Sequence, residues 1–184
     1  MKTAVIYQSH YGSTETYARW LAEDLGAGLF QADRVKQADL QQYDTIVYGG
    51  GLYAGGVNGI ALLTKYLDTF RDKALYLFTV GVSDITDQDN IKAIRGGLEQ
   101  KLPPALWEKV HIYHLRGGIL YSKMSFLHRM MINMMIKALR KKPENERSSY
   151  ERDILQSADH DTDFTDRAAL APLVADIRAG EKPR

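Results

Sequence analysis

Short apolar runs alternate with stretches of helical spacing along most of the chain. This rhythm narrows the choice of folds more than any other feature. Residues 3–7 read Thr-Ala-Val-Ile-Tyr, apolar and rich in β-branched side chains, the pattern of a strand buried on both faces. Residues 14–25 place Tyr17, Ala18, Leu21, Ala22 and Leu25 at helical spacing, and Gly26 supplies a stop. Further strands are predicted at 29–32, 45–49, 74–82 and 110–115. Helical patterns occupy 60–70 and 88–102, the second carrying Ile91, Ile94, Leu98 and Leu102 and broken by Pro103-Pro104. Repeated strand–helix–strand order implies right-handed crossovers and a doubly wound α/β sheet, mainly parallel, with helices on both faces.

A chain of 184 residues suits a single domain spanning 1–184. The rhythm breaks at about 121–142, where a methionine-rich helical pattern reads as an insertion. Residues 143–162 are polar and predict a loop, and 164–179 predict a last helix with Leu170, Leu173, Val174 and Ile177 on one side. Asp159, Asp161, Asp163 and Asp166 read as a solvated loop and a helix start. The 24 basic and 23 acidic side chains leave a net charge of +1, which gives no electrostatic case for nucleic acid. Absence of cysteine excludes disulfides, thiolate metal sites and thiol catalysis. The first residues lead directly into a strand pattern without a signal-peptide pattern, and no apolar run has transmembrane length. The expectation is a cytoplasmic protein, with peripheral attachment to the inner face of the cell membrane as an option.

The loop after the first strand holds Ser9, His10, Tyr11, Gly12, Ser13 and Thr14. A bound phosphate needs convergent N–H and O–H donors, and the start of a helix already presents several N–H groups. Gly12 lets the backbone curl close to the anion, and Ser13 or Thr14 can donate a hydroxyl. The same residues also suit a plain turn with a serine cap. Neither the dinucleotide Gly-x-Gly-x-x-Gly pattern nor a P-loop lysine is present. His10 reads as a phosphate donor or a surface residue, and His111 and His114 as ordinary strand histidines. No spacing of ligating residues makes a metal site.

The run Ser9-x-Tyr11-Gly12-x-Thr14 resembles the phosphate loop of the flavodoxin family, Thr/Ser-x-Thr-Gly-x-Thr, with Tyr11 in place of a hydroxyl residue. The likeness covers about residues 1–120 in element order and loop chemistry. It implies a five-stranded parallel sheet of order 2-1-3-4-5 with FMN at the switch between strands one and three. It also assigns roles to two further loops at the same edge. Leu52 and Tyr53 would cover the isoalloxazine ring. Ala54, Gly55 and Gly56 would supply a peptide able to reorient towards flavin N5 on reduction. Backbone groups of Thr79, Val80, Gly81 and Val82 would read the pyrimidine edge, and Asp84 reads as a helix cap. No aromatic residue lies between Thr79 and Asp89, where many flavodoxins carry one.

Five of the six methionines stand at 124, 130, 131, 134 and 135. Ser125, Arg129, Asn133 and Lys137 form a narrow polar stripe on an otherwise wide apolar helix. Residues 123–147 hold seven basic side chains against two acidic ones. A helix over 124–139 would be about 24 Å long, short of a hydrocarbon core of about 30 Å. The pattern suits an interfacial helix on an anionic membrane, or a homodimer contact, through about 124–142, with a core helix packed on the sheet as the plain alternative. Gly117-Gly118-Ile119-Leu120-Tyr121 followed by this helix is similar to the menaquinone-dependent protoporphyrinogen dehydrogenase family. That resemblance implies an FMN oxidoreductase that oxidises protoporphyrinogen IX or a related small molecule, with a quinone as acceptor. A flavodoxin-type carrier serving a redox partner protein, and a non-redox interaction module on the same fold, are the competing readings. No catalytic acid or base is assigned, because a flavin carries the redox chemistry itself.

Overall fold

The computed structural model describes residues 2–53, 56–158 and 160–180; Ala54, Gly55 and Asp159 lie outside them. The central sheet holds β1 (Thr3–Gln8), β2 (Gly28–Gln31), β3 (Thr45–Tyr53), β5 (Ala74–Gly81) and β6 (His111–Arg116), all parallel, in the order β2-β1-β3-β5-β6. This is the expected 2-1-3-4-5 arrangement. One short extra strand, β4 (Gly56–Val57), folds back antiparallel on the end of β3. The period-two alternation of each strand separates two cores. Ala4, Ile6, Ile46, Tyr48, Leu75 and Leu77 face one side. That side is covered by α2 (Ala61–Lys65), α3 (Leu67–Phe70), α4 (Gln88–Glu99) and α5 (Pro104–Trp107). Val5, Tyr7, Val47, Tyr76, Phe78 and Val80 face the other, under α1 (Ser13–Leu25) and α8 (Ala171–Gly180).

Four local readings are corrected. The glycine-rich stretch after strand three is not all loop, because β3, expected to end at Gly49, continues through Gly50 and Gly51 to Tyr53. These glycines serve packing: a Cβ on Gly49 would collide with the Phe78 ring, and one on Gly50 with Val57. The helix expected over 60–70 is broken at Tyr66 into two short pieces. Asp84 does not cap α4. Its side chain accepts from Thr86, while Asp87 caps the helix by accepting from the Asp89 N–H at 2.8 Å. The polar stretch 143–162 contains α7 (Ser149–Gln156), opened by a reciprocal cap: Ser148 Oγ accepts from Glu151 N–H at 3.2 Å, and Ser148 N–H donates to Glu151 Oε2 at 2.8 Å.

The methionine-rich segment forms α6 (Phe126–Lys141), with Ser125 at its cap and Arg140 and Lys141 in its last turn, where basic side chains favour the helix dipole. It rests beside the sheet's carboxyl edge on a third apolar cluster of Ile136, Ile154 and Ala158, flanked by Val82, Ile132 and Leu139. Among the described residues no helix is long and apolar enough to cross a membrane.

Candidate functional site

Strand order reverses between β1 and β3, so the connections leaving them diverge and open a crevice beyond their carboxyl ends. A cleft of about 420 Å³ occupies this position. That volume is within the range usual for small-molecule sites, about 300–1,000 Å³. It is lined by the ends of four strands and roofed by α6 and α7.

One end of the cleft is a cluster of donors. Gly12 precedes α1 with φ of 99°, a conformation that disfavours any side chain, and no side chain caps the helix. The first N–H groups of α1 therefore keep their capacity for an anion. Ser9, Ser13 and Thr14 line the same end. Ser9 Oγ accepts from Gly12 N–H at 3.1 Å, which folds the loop, and Ser13 Oγ accepts from Gly118 N–H at 3.2 Å. Each hydroxyl still has its own proton to give. The fit between elements is close: a Cβ on Gly51 would stand 3.1 Å from Thr14 Oγ1, and one on Gly117 would stand 2.6 Å from Val80 Cγ1 and 3.0 Å from Ser13 Cβ. Gly117 also donates its N–H to Gly81 O at 2.7 Å. Among the described residues none that lines the cleft is a carboxylate, a lysine or an arginine, so these donors act as neutral dipoles.

The other end is apolar and aromatic. Leu52 and Tyr53 from β3, Val80 and Val82 around the end of β5, and Ile119 after β6 form its walls. Met131, Ile132 and Met135 of α6 and Ile154 of α7 close it. The Tyr53 ring lies 5.0 Å from His10 and 5.9 Å from His128, and His128 lies 6.0 Å from Tyr11. Among the described residues Tyr11 Oη is buried without a hydrogen-bond partner, and burial with the neighbouring Tyr53 pushes its pKa above the usual phenol value. The phenol thus stays a neutral donor that lacks an acceptor.

The sequence-predicted residues therefore largely come together. Ser9, His10, Tyr11, Ser13, Thr14, Leu52, Tyr53, Val80, Gly81 and Val82 line one cleft, and Gly12 stands behind it as the helix cap. Thr79 does not reach the lining: it is buried within the sheet, its hydroxyl 2.8 Å from His114 Nδ1. Ala54 and Gly55 lie outside the described residues. Sequence reasoning missed Asn58, Gly117, Gly118, Ile119, the α6 side chains and Ile154 as site residues. Asn58 is set by a backbone bond to Gly51 O at 2.9 Å and by Tyr48 Oη donating to its carbonyl at 2.7 Å. The Ser148-x-x-Glu151 cap was the available sequence signal for α7. Through α7, Asp153 Oδ2 accepts from Asp84 N–H at 2.8 Å and Asn90 Nδ2 at 3.2 Å, fixing the loop after β5. Among the described residues no three His, Asp or Glu side chains gather as a metal site.

Comparison with known proteins gives one family and several distant structures. Residues 4–146 match the family model described as flavodoxin domain. The protein MJ0298 of Methanocaldococcus jannaschii, itself uncharacterized, is 36% identical over 104 residues, 55% of this chain and 68% of that one. Oxidised flavodoxin 2 of Bacillus cereus is 14% identical, with a TM-score of 0.42 over 94% of this chain and 99% of its own. A flavoprotein of Lactobacillus acidophilus in complex with FMN is 13% identical, with a TM-score of 0.40 over 62% of this chain and 91% of its own. The family match covers most of the chain and reaches every strand of the sheet, so this protein belongs to the flavodoxin-domain family.

Proposed function

We propose that the cleft binds FMN and that the protein is a redox flavoprotein acting on a small organic substrate. The observation that carries this reading is the two-ended cleft: an uncapped helix start with hydroxyls at one end, an apolar aromatic slot at the other. The donor set fits the group. A phosphate suits the α1 N–H groups with Ser9, Ser13 and Thr14, and Tyr11 Oη of the same loop is an orphaned donor. A flat, π-rich ring suits Leu52, Tyr53 and Val82. One anion cradle without the dinucleotide glycine pattern favours FMN over FAD or a nicotinamide dinucleotide.

Bound FMN would supply two-electron redox chemistry at its ring. The chain's part is to hold and shield. The α1 N-terminus would hold the phosphate, Tyr53 would cover the ring, and Met131, Ile132 and Met135 would keep water from the apolar end. That roof is what favours a small-molecule substrate over a bare electron carrier, which needs only an accessible ring edge. For the substrate we propose protoporphyrinogen IX or a molecule of like shape, with a quinone as acceptor. Its support is the resemblance of residues 117–121 and the methionine-rich helix, together with the apolar lining of the cleft. Anaerobic mixing of the FMN-loaded protein with protoporphyrinogen should bleach the flavin absorbance, and a soluble menaquinone analogue should restore it. Flavin that is bleached by dithionite but untouched by the porphyrinogen would remove this substrate while leaving FMN binding intact.

A further inference from the structure

Six of the seven large hydrophobic side chains exposed among the described residues belong to α6: Phe126, Leu127, Met130 and Met134, and, on the side that lines the cleft, Met131 and Met135. The seventh, Phe164, is covered by the Arg116 guanidinium 4.2 Å from its ring centre. On an ordinary surface helix the apolar stripe turns inwards. Here only Ile136 of the helix is fully buried, while Phe126 is 84% and Met134 59% exposed. Contiguous apolar surface of this kind marks a docking site.

Charge selects the occupant. Arg129, Lys137, Arg140 and Lys141 are exposed along the same helix, and residues 109–143 contain no aspartate or glutamate. Phe126, Met130 and Met134 form a row beside Arg129, Asn133 and Lys137, and together they line a shallow outer groove. An apolar face bordered by basic side chains is complementary to an anionic lipid surface, with the helix lying in the interfacial plane. A second copy fits less well, because a two-fold contact brings the same surface patch against itself and would set these basic side chains against their own copies.

We propose that α6 docks the protein on anionic bilayers through Phe126, Leu127, Met130 and Met134. Met131 and Met135 also line the cleft, so a docked helix places the cleft mouth beside the lipid. This inference does not depend on flavin binding, and its test needs no flavin. The full chain is mixed with vesicles of phosphatidylcholine alone or with about 30% phosphatidylserine, then floated at low and high salt. The expected result is flotation with anionic vesicles only, weakened by salt. Neutralising Lys137 or Arg129 to Gln should lower the partition coefficient about fivefold per charge. Met130→Glu and Met134→Glu should abolish flotation. Both sites are substantially exposed, so the variants should keep the wild-type circular dichroism. The Gln variants keep the proposal testable if the Glu variants misfold. Absence of flotation, flotation indifferent to lipid charge, or a wild-type dimer that the Glu variants convert to monomer would each overturn the proposal.

Discussion

α1 and α6 are both amphipathic helices at the carboxyl edge of the sheet, yet they spend their apolar side chains in opposite directions. α1 buries Tyr17, Ala18, Leu21 and Ala22 against β1 and β3, and its polar N-terminus opens on the cleft. α6 buries Ile136, leans Ile132 and Leu139 on its neighbours, and turns Phe126, Met130 and Met134 outwards. The lesson is that helical periodicity reports that a face exists, not what covers it. The answer for α1 comes from strands that a crossover must place beneath it. For α6 it comes from a small satellite cluster with α7, too small to take the whole face.

Stability should separate the two helices most strongly. Leu21 is 0% exposed, so Leu21→Ala should cost about 2–5 kcal/mol in denaturant unfolding, while Met134→Ala should stay within about 0.5 kcal/mol. Similar costs at the two positions would break the comparison.

Flavin affinity should divide the same way. Thr14→Val removes a donor from the α1 end of the cleft and should weaken FMN by about 10- to 150-fold, the worth of one hydrogen bond to a charged group, about 1.5–3 kcal/mol. Met135→Ala, on the α6 side, removes only an apolar contact and should weaken it less. Tyr53→Ala should lower affinity and relieve quenching of flavin fluorescence. Equilibrium titration at fixed ionic strength reads all three.

A third point of attack is a pH dependence built into the sheet. His114 on β6 has its Nδ1 2.8 Å from Thr79 Oγ1 and a buried Nε2 without a partner. Burial, reinforced by the Arg95 charge, pushes its pKa down to about 4 from the ordinary 6.5. Between those values the unfolded chain binds a proton that the folded chain refuses. The His114 contribution is therefore full above about pH 6.5 and lost as pH falls towards 4, with a slope of up to about 1.4 kcal/mol per pH unit. His114→Gln should flatten that part of the stability curve. An unchanged slope would show that the imidazole is not shielded from water.

The core was legible because its signals agree: apolar strands, helical spacing and a glycine-bounded turn all point to one crossover fold. The phosphate-loop residues were legible for the same reason, since loop chemistry and sheet topology converge on one edge. Gly50 and Gly51 misled because glycine usually signals a turn, whereas here Val57 occupies the space of a Cβ on Gly50 and Thr14 Oγ1 stands 3.1 Å from one on Gly51. α7 was hidden by its polar composition, its Ser148–Glu151 cap being the surviving signal. Asn58, Ile154 and the α6 roof came from segments distant in sequence, which only the tertiary fold brings to the cleft.

In the proposed function, the α1 cradle and the Tyr53 slot together form an FMN site. Its most direct test is to release the chromophore from the purified native protein, identify it, and titrate the stripped chain with FMN and FAD. The expected result is FMN, one per chain, rebinding with quenched fluorescence and without effective competition from FAD. Stoichiometric FAD in the native protein, or a stripped chain that takes up no FMN, would contradict it.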